Sequence, residues 1–270
     1  MTKTSGDQRA LSSLQQRIVS ALILAPIGFA VIWAGGWVFS LFVALIAVVM
    51  AFEWNRLISG QKFSLAFAFH ALIAVAAILA INNNQITLAL SLTAAGALIT
   101  ALLSLRIAPL WALGGVIYTL LPCIAMVWLR ITPDEGMGIV LSLVMIVITI
   151  DTGAYWAGKT FGGPKLAPRF SPGKTWAGLA GGGFWAAIAA TISAYVMGWE
   201  PLSLFFALGV VLAVISQVGD LAESAVKRHF KVKDMGSLIP GHGGVLDRFD
   251  GLMLSTLVVV ALVLTQAAIS

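Results

Sequence analysis

Residues 37–58 read WVFSLFVALIAVVMAFEWNRLI, and the first sixteen of them carry no charge. A helix of about 20 apolar residues is long enough to cross a hydrocarbon core about 30 Å thick. Similar stretches recur along the whole chain of 270 residues, of which 60% are hydrophobic and only 10% are charged. Soluble domains are roughly 25% charged. The sequence therefore predicts an all-α, polytopic membrane protein.

Apolar windows bounded by glycine, proline, asparagine or charge predict nine transmembrane helices. Their expected bounds are residues 18–34, 37–58, 63–81, 86–105, 110–129, 137–157, 175–197, 202–226 and 251–269. Only Gly35 and Gly36 separate the first two spans, so a re-entrant pair is an alternative there. We divide the chain into a polar tail (1–17), an N-terminal helical region (18–136) and a catalytic region (137–270) with two long loops, 158–174 and 228–248.

Basic residues are distributed unevenly around these spans. With nine spans, fifteen of the sixteen Lys and Arg residues lie on one side of the membrane, and only Arg130 lies on the other. Because basic residues near span ends are retained in the cytoplasm, the N-terminal tail and both long loops are expected there. This rule accounts for the net charge of +5. Attraction of lipid phosphates and polyphosphates to the same loops is a compatible second explanation.

Carboxylates at the cytoplasmic ends of the spans are the main candidates for chemistry. Asp151 and Asp220 each follow a strongly apolar run, where an unpaired carboxylate is costly and needs a cation. Asp247 and Asp250 lie three residues apart at the start of the last span, so a helix presents both toward one side. Helix capping explains one of them. All four together favour a Mg²⁺ site, because Mg²⁺ prefers oxygen ligands and substrate phosphates.

One face of the eighth span carries an acidic, a hydroxyl and a basic side chain. Asp220, Glu223, Ser224 and Lys227 follow the spacing i, i+3, i+4, i+7, which an α-helix presents as a single stripe. The stripe is suited to binding a metal and a phosphate. The alternative is an intrahelical salt bridge between Glu223 and Lys227, with Asp220 as a solvated helix end.

Both long loops contain residues suited to phosphate binding. Residues 241–244 read GHGG, and glycines there would let the backbone N–H groups approach an anion, although an ordinary surface turn has the same composition. His242 is either a hydrogen-bond donor or a residue that orders the loop. Ser171 and Lys174 in the other loop could contact phosphate, but the Walker A spacing is missed, and a positively charged loop with a Pro-Gly turn is the alternative. After this loop, Gly178 and Gly182 form a GxxxG pair suited to close helix packing.

Residues 224–250, SAVKRHFKVKDMGSLIPGHGGVLDRFD, closely resemble the signature of bacterial phosphatidate cytidylyltransferases, also called CDP-diacylglycerol synthases. The segments DTGAY (151–155) and SPGKTW (171–176) resemble the other recurrent segments of that family, and EWNR (53–56) adds weaker support. The resemblance implies transfer of CMP from CTP to phosphatidic acid, with Mg²⁺ required and pyrophosphate released. It also implies a multi-pass protein of the bacterial inner membrane, with a homodimer as a further possibility by analogy and no nucleic-acid partner.

With this reaction, the candidate residues receive expected roles. Asp220 and Asp247 are the first-choice metal ligands, followed by Asp250 and Asp151. The remaining candidates are expected to bind the phosphates or complete the cradle for the nucleotide and lipid, and they are Lys227, Arg228, Arg248, Ser224, Lys174, Ser171, His242, Gly243 and Gly244. Because the lipid stays in the bilayer, the pocket should open sideways near the ends of the sixth, eighth and ninth spans.

Two rival functions are kept open. A related membrane enzyme could use CTP as a kinase on another lipid, in which case CDP and not pyrophosphate would leave. A transporter for an organic anion would place carboxylates near the bilayer midplane. The concentration of ionisable residues at one face argues against the transporter. The single Cys123 lies in an apolar run and excludes a disulfide framework.

Overall fold

The computed structural model of the protein describes residues 13–236 and 243–269. Residues 1–12 of the predicted tail and the predicted site residue His242 lie outside these ranges. Within them the chain forms nine α-helices and one short hairpin. The elements are α1 (Ser13–Ala34), α2 (Gly36–Ser59), α3 (Leu65–Asn82), α4 (Ile86–Leu103), α5 (Pro109–Ile131), α6 (Gly136–Phe161), β1 (Lys165–Ala167), β2 (Ser171–Thr175), α7 (Trp176–Met197), α8 (Leu202–His229) and α9 (Leu246–Ile269).

The all-α membrane architecture predicted from hydropathy is confirmed. Eight of the described helices, α2 to α9, are long and apolar enough to cross a bilayer, and α1 contributes the shorter apolar stretch Leu22–Ala34. Most helix bounds agree with the predicted ones within a few residues. The largest differences are at the starts of α1 and α9, which begin at Ser13 and Leu246 and not at residues 18 and 251. Asp247 and Asp250 therefore belong to the first turns of α9.

The helices pack as two groups that are joined by α9 and by a direct contact between α5 and α6. The first group contains α2, α3, α4 and α5, and the second contains α6, α7 and α8, while α9 contacts α5, α6 and α8. Small residues allow close approach in the second group. A Cβ on Gly178 or on Gly182 would lie 3.0 Å from a carbonyl oxygen of α6, so the predicted GxxxG pair does pack α7 tightly on α6.

The boundary between the first two helices is stabilised by Arg130. Gly35 has a φ of 61°, a left-handed conformation that favours glycine, and it separates α1 from α2. The guanidinium Nε of Arg130, at the end of α5, donates to the carbonyl of Ile32 at 2.8 Å, and Nη2 donates to that of Trp33. These are carbonyls that the end of a helix leaves without intrahelical partners. Arg130, the basic residue predicted to lie alone on its side, therefore caps α1.

A two-stranded antiparallel hairpin, β1 and β2, interrupts the helical pattern between α6 and α7. The sequence did not predict it. Its second strand runs directly into α7, where the Thr175 hydroxyl accepts the N–H of Gly178 at 3.0 Å and caps the helix. The hairpin fixes Ser171 and Lys174 against the ends of α6 and α8.

Candidate active site

A cavity of about 520 Å³ lies between the hairpin and the ends of α6, α7 and α8. Its polar lining comes from residues far apart in the chain. These are Asp151, Tyr155 and Lys159 of α6, Ser171, Lys174 and Thr175 of β2, and Ser216, Gln217 and Asp220 of α8. Ligand sites typically have volumes of roughly 300–1,000 Å³, so the cavity is of suitable size for a substrate.

An ion pair lies at the centre of this cavity. The Lys174 ammonium donates to Oδ2 of Asp220, and both side chains are about one quarter exposed, at 24% and 25%. Oδ1 of Asp220 accepts from the Ser224 hydroxyl at 3.4 Å. Lys174 precedes the residue that caps α7, so its backbone is fixed while its long side chain reaches into the cavity. The structure thus brings together three predicted site residues.

Two further carboxylates lie close to Asp220. Asp250 interacts electrostatically with Asp220, Asp151 and Lys174. The close approach of α9 to α8 makes this possible, because a Cβ on Gly219 would lie 2.6 Å from the carbonyl oxygen of Asp250. Oδ1 of Asp250 accepts the N–H of Gly251 at 2.7 Å. Three of the four predicted metal ligands, Asp220, Asp250 and Asp151, therefore lie within electrostatic reach of one another, and two of them, Asp151 and Asp220, line the cavity.

Asp247, the fourth, belongs to a different group of charges. Its Oδ1 accepts from the Lys227 ammonium at 2.8 Å, and its Oδ2 accepts the backbone N–H groups of Met235 and Gly244, both at 2.9 Å. Lys227 also donates to Oε1 of Glu223 at 3.0 Å, so the intrahelical salt bridge considered as an alternative is present. Metal binding by Asp247 stays a prediction, but both of its oxygens are already engaged by protein donors.

This second group is more deeply buried than the first. The side chains of Glu223 and Asp247 are 0% and 4% exposed, and that of Lys227 is 14% exposed. We call Glu223, Lys227 and Asp247 the Lys227 triad. It ties the end of α8 to the start of α9.

The remaining predicted residues have varied surroundings. Arg228 donates from Nε to the carbonyl of Phe170 at 3.2 Å and so joins α8 to the hairpin. Arg248 interacts electrostatically with Asp151. Gly243 has a φ of 83°, which favours glycine, and the N–H of Gly244 is directed at Asp247. The N–H of Gly244 is therefore already hydrogen-bonded within the protein.

The structure adds residues that the sequence did not single out as site residues. Gln217 is 8% exposed and lines the cavity, and within the described part of the chain its Nε2 has no hydrogen-bond partner. Lys159 lines the same cavity from α6. Glu53, on α2, accepts two backbone N–H groups at the start of α9. Its signal in the sequence was an acidic residue directly after sixteen uncharged ones.

The donor set fits a Mg²⁺ ion that is completed by substrate. Among residues 13–236 and 243–269, no three His, Cys, Asp or Glu side chains form a preassembled metal cluster. Mg²⁺ usually binds through one or two carboxylates plus substrate phosphates and water, so a complete protein cage is not required. Asp220, Asp250 and Asp151 would supply hard oxygen ligands, and Asp220 is already paired with a cation, the Lys174 ammonium.

A second cavity, also of about 520 Å³, lies between α2, α5 and α8. Its lining is mostly apolar and comprises Trp54, Leu110, Trp111, Gly114, Tyr118, Ala222, Glu223 and Val226. Leu110 is 81% exposed, and Ala222 is exposed as well, so this space opens at the side of the helical bundle. We call it the α5–α8 groove. A lateral opening was predicted beside the sixth, eighth and ninth spans, whereas this groove lies on another face of α8.

Comparison with known proteins gives consistent relationships over most of the chain. Residues 15–266 match the Cytidylyltransferase family. A phosphatidate cytidylyltransferase of Brucella suis is 39% identical over 251 residues, which cover 90% of this chain and 90% of that protein. The phosphatidate cytidylyltransferase of Pseudomonas aeruginosa is 37% identical over 254 residues, covering 88% and 93%. A Haemophilus influenzae protein of the same name is 44% identical over 125 residues.

Proposed function

The chain belongs to the cytidylyltransferase family, and on this premise we propose that it is a phosphatidate cytidylyltransferase. It transfers CMP from CTP to phosphatidic acid, giving CDP-diacylglycerol and pyrophosphate. The observation that carries this proposal is the cavity containing Lys174 and Asp220, which lies at the end of a membrane-spanning bundle. A water-soluble nucleotide and a bilayer-bound lipid can both reach such a position.

The reaction joins two anions and needs little acid–base chemistry. A phosphate oxygen of phosphatidic acid attacks the α-phosphorus of CTP, forming a new P–O bond. The bond from that phosphorus to the oxygen bridging to the β-phosphate breaks, and its electron pair leaves with pyrophosphate. Since the attacking oxygen is already anionic, the protein has to hold the reactants in line and offset their charge.

Residues of the cavity are suited to these tasks. Lys174 and Lys159 carry positive charge into the cavity, and the hydroxyl of Ser171 can donate to phosphate oxygens. Lys174 is paired with Asp220 and is partly exposed, so a triphosphate can draw it away from the carboxylate. Gln217 has an amide group available to a substrate acceptor.

Asp220, Asp250 and Asp151 are proposed to hold Mg²⁺. When bound, the ion would neutralise charge on the triphosphate and on the departing pyrophosphate. Asp247, whose oxygens bind Lys227 and two backbone N–H groups, would instead order the start of α9. This assignment keeps Asp220 as a first-choice ligand and exchanges the expected ranks of Asp247 and Asp250.

The α5–α8 groove is proposed as the lipid route. Its apolar lining matches acyl chains, and it opens at the side of the bundle near the cytoplasmic end expected from the basic residues. Glu223 lines the groove one helical turn from Asp220, so a lipid there lies close to the cavity. The enzyme would then act at the cytoplasmic face of the bacterial inner membrane.

Product analysis tests the function directly. The purified protein in detergent is incubated with CTP, phosphatidic acid and Mg²⁺, and pyrophosphate and nucleotide-bearing lipid are measured. We expect both to form in equal amounts. Release of CDP with a phosphorylated lipid would identify a kinase instead. Absence of any CTP-dependent product from correctly folded protein would contradict the proposal.

A further inference from the structure

Glu53 is a buried acidic residue of α2 that the reaction scheme above does not use. It is 1% exposed and follows a stretch of α2 that carries no charge. An isolated carboxylate in such a position is expensive unless it is hydrogen-bonded or paired. Its partners therefore indicate why this position is acidic.

Both oxygens of Glu53 bind the backbone at the start of α9. Oε1 accepts the N–H of Val245 at 3.0 Å, and Oε2 accepts the N–H of Leu246 at 2.9 Å. The first N–H groups of a helix have no intrahelical acceptor, and a negative charge near them is favourable. Glu53 thus caps α9, although it lies 192 positions before Val245 in the chain.

Two glycines of the signature segment make room for this carboxylate. A Cβ on Gly236 would lie 2.2 Å from Oε1 of Glu53, and a Cβ on Gly244 would lie 2.6 Å from the same atom. Atoms cannot approach so closely, so any larger residue at either position would displace Glu53. The glycines at 236 and 244 therefore have a packing role.

The contact also connects to the candidate catalytic charges. Gly244 donates its N–H to Asp247, so three successive N–H groups at the start of α9 are held by two carboxylates, Glu53 and Asp247. Asp250 is one helical turn further along α9 and interacts electrostatically with Asp220. A shift of the first turn of α9 would move both aspartates relative to α8.

We propose that Glu53 is a positioning residue for nucleotidyl transfer. By binding the N–H groups of Val245 and Leu246, it fixes the first turn of α9 and so holds Asp250 toward Asp220 and Asp247 toward Lys227. The N-terminal helices are in this way part of the active site. The role in the reaction rests on the proposed function, whereas the capping of α9 does not.

The test uses Glu53→Gln, which keeps the shape but replaces one acceptor oxygen with an amide NH2 group, a donor that cannot accept a backbone N–H. Hydrogen exchange of residues 243–254 is measured by mass spectrometry, and kcat and KM for CTP are measured in parallel. We expect exchange at the start of α9 to increase by about tenfold or more, as expected for loss of a charge-assisted hydrogen bond. We expect kcat to fall by at least a similar factor, with a smaller change in KM.

The matched control is Glu135→Gln, since Glu135 is an exposed glutamate that accepts a side-chain hydrogen bond from Trp199 away from this site. It should leave exchange of residues 243–254 and kcat unchanged. Gly244→Ala provides a second approach to the same contact, and the double variant Glu53→Gln with Gly244→Ala should lose no more kcat than the worse single variant. If the kcat losses of the two single variants multiply in the double variant, they arise independently. That result would indicate general destabilisation and overturn the positioning role.

Unchanged exchange in Glu53→Gln would overturn the capping of α9. Increased exchange with parental kcat would overturn the role in the reaction. If the parent protein makes no nucleotide-bearing lipid, the proposed function and the positioning role fail together, and the exchange measurement still decides whether Glu53 holds α9.

Discussion

Replacing Lys227 with methionine should strongly destabilise the protein. Methionine keeps much of the length and apolar volume of lysine but removes the ammonium group. That group is bound by Glu223 at 3.0 Å and by Asp247 at 2.8 Å. The substitution would leave two buried carboxylates without the cation they share.

The magnitude follows from burial. The carboxyl side chains of Glu223 and Asp247 are 0% and 4% exposed, so water cannot replace the lost ammonium without opening the structure. Removing one partner of a buried ion pair typically costs about 3–5 kcal/mol. We therefore expect the free energy of unfolding to fall by about this amount. Turnover should fall as well, because the triad joins α8 to α9.

Unfolding in mixed micelles of mild detergent and dodecyl sulfate, followed by tryptophan fluorescence, measures the free energy change. Lys62→Met is the control, since Lys62 is exposed, and substitutions at such positions usually change stability by no more than about 0.5 kcal/mol. The double variant Lys227→Met with Glu223→Gln removes one of the orphaned charges. It should recover about 1–3 kcal/mol relative to Lys227→Met alone.

The reasoning about the triad would be refuted by a Lys227→Met protein as stable as Lys62→Met. It would also be refuted if removing the charge of Glu223 made the Lys227→Met protein less stable. Either result would mean that the two carboxylates do not depend on Lys227 for their charge compensation.

Three further outcomes are expected of the proposed enzyme. Asp220→Asn should lower kcat by about a hundredfold while the protein still inserts and folds. The control Asp134→Asn, at an exposed turn, should leave kcat unchanged. Pyrophosphate release by Asp220→Asn within a few fold of the parent would remove Asp220 from the site. Excess EDTA should stop turnover and added Mg²⁺ should restore it, so activity that persists in EDTA would argue against a divalent ion. Ala222→Trp should fill the α5–α8 groove and raise KM for phosphatidic acid but not for CTP. The control Leu72→Trp, on another exposed surface, should change neither KM. An unchanged KM for phosphatidic acid in Ala222→Trp would exclude this lipid route.

Hydropathy was sufficient to predict that the helices exist, because most of their boundaries are marked by a change of composition. The break at Gly35 and Gly36 was the least certain, and it does separate two helices. Hydropathy failed at the start of α9, where polar residues resemble a loop. There, Glu53 and Asp247 compensate the free N–H groups and allow the helix to begin at Leu246. That compensation comes partly from another helix, so a local window cannot detect it.

The hairpin was missed for a related reason. Its strands, Lys165–Ala167 and Ser171–Thr175, are short and show no alternation of apolar side chains, and the second contains the turn-forming residues Ser171, Pro172 and Gly173. Only their pairing with each other defines them as strands. Short strands of this kind lack the period-two pattern on which strand prediction depends.

Four of the residues that line the cavity, Asp151, Ser171, Lys174 and Asp220, were among the predicted site residues, but their pairings were not predicted. Helical periodicity correctly placed Glu223 and Lys227 within reach of each other, since it relates residues on one helix. The pair formed by Lys174 and Asp220 joins residues 46 positions apart and could not be derived in this way. Periodicity tells which face of a helix carries a side chain, whereas the partner on another element depends on packing.

The two lysines differ in a way that bears on catalysis. Lys174 and Asp220 are each about one quarter exposed, and such pairs contribute little net stability, typically about 0–1 kcal/mol. Under the proposed function, a triphosphate and a divalent ion would therefore replace this pair at little cost to the fold. Breaking the buried triad around Lys227 costs several times more. The partly exposed pair is thus suited to exchange partners during the proposed reaction, while the buried triad is suited to hold α8 and α9 in place.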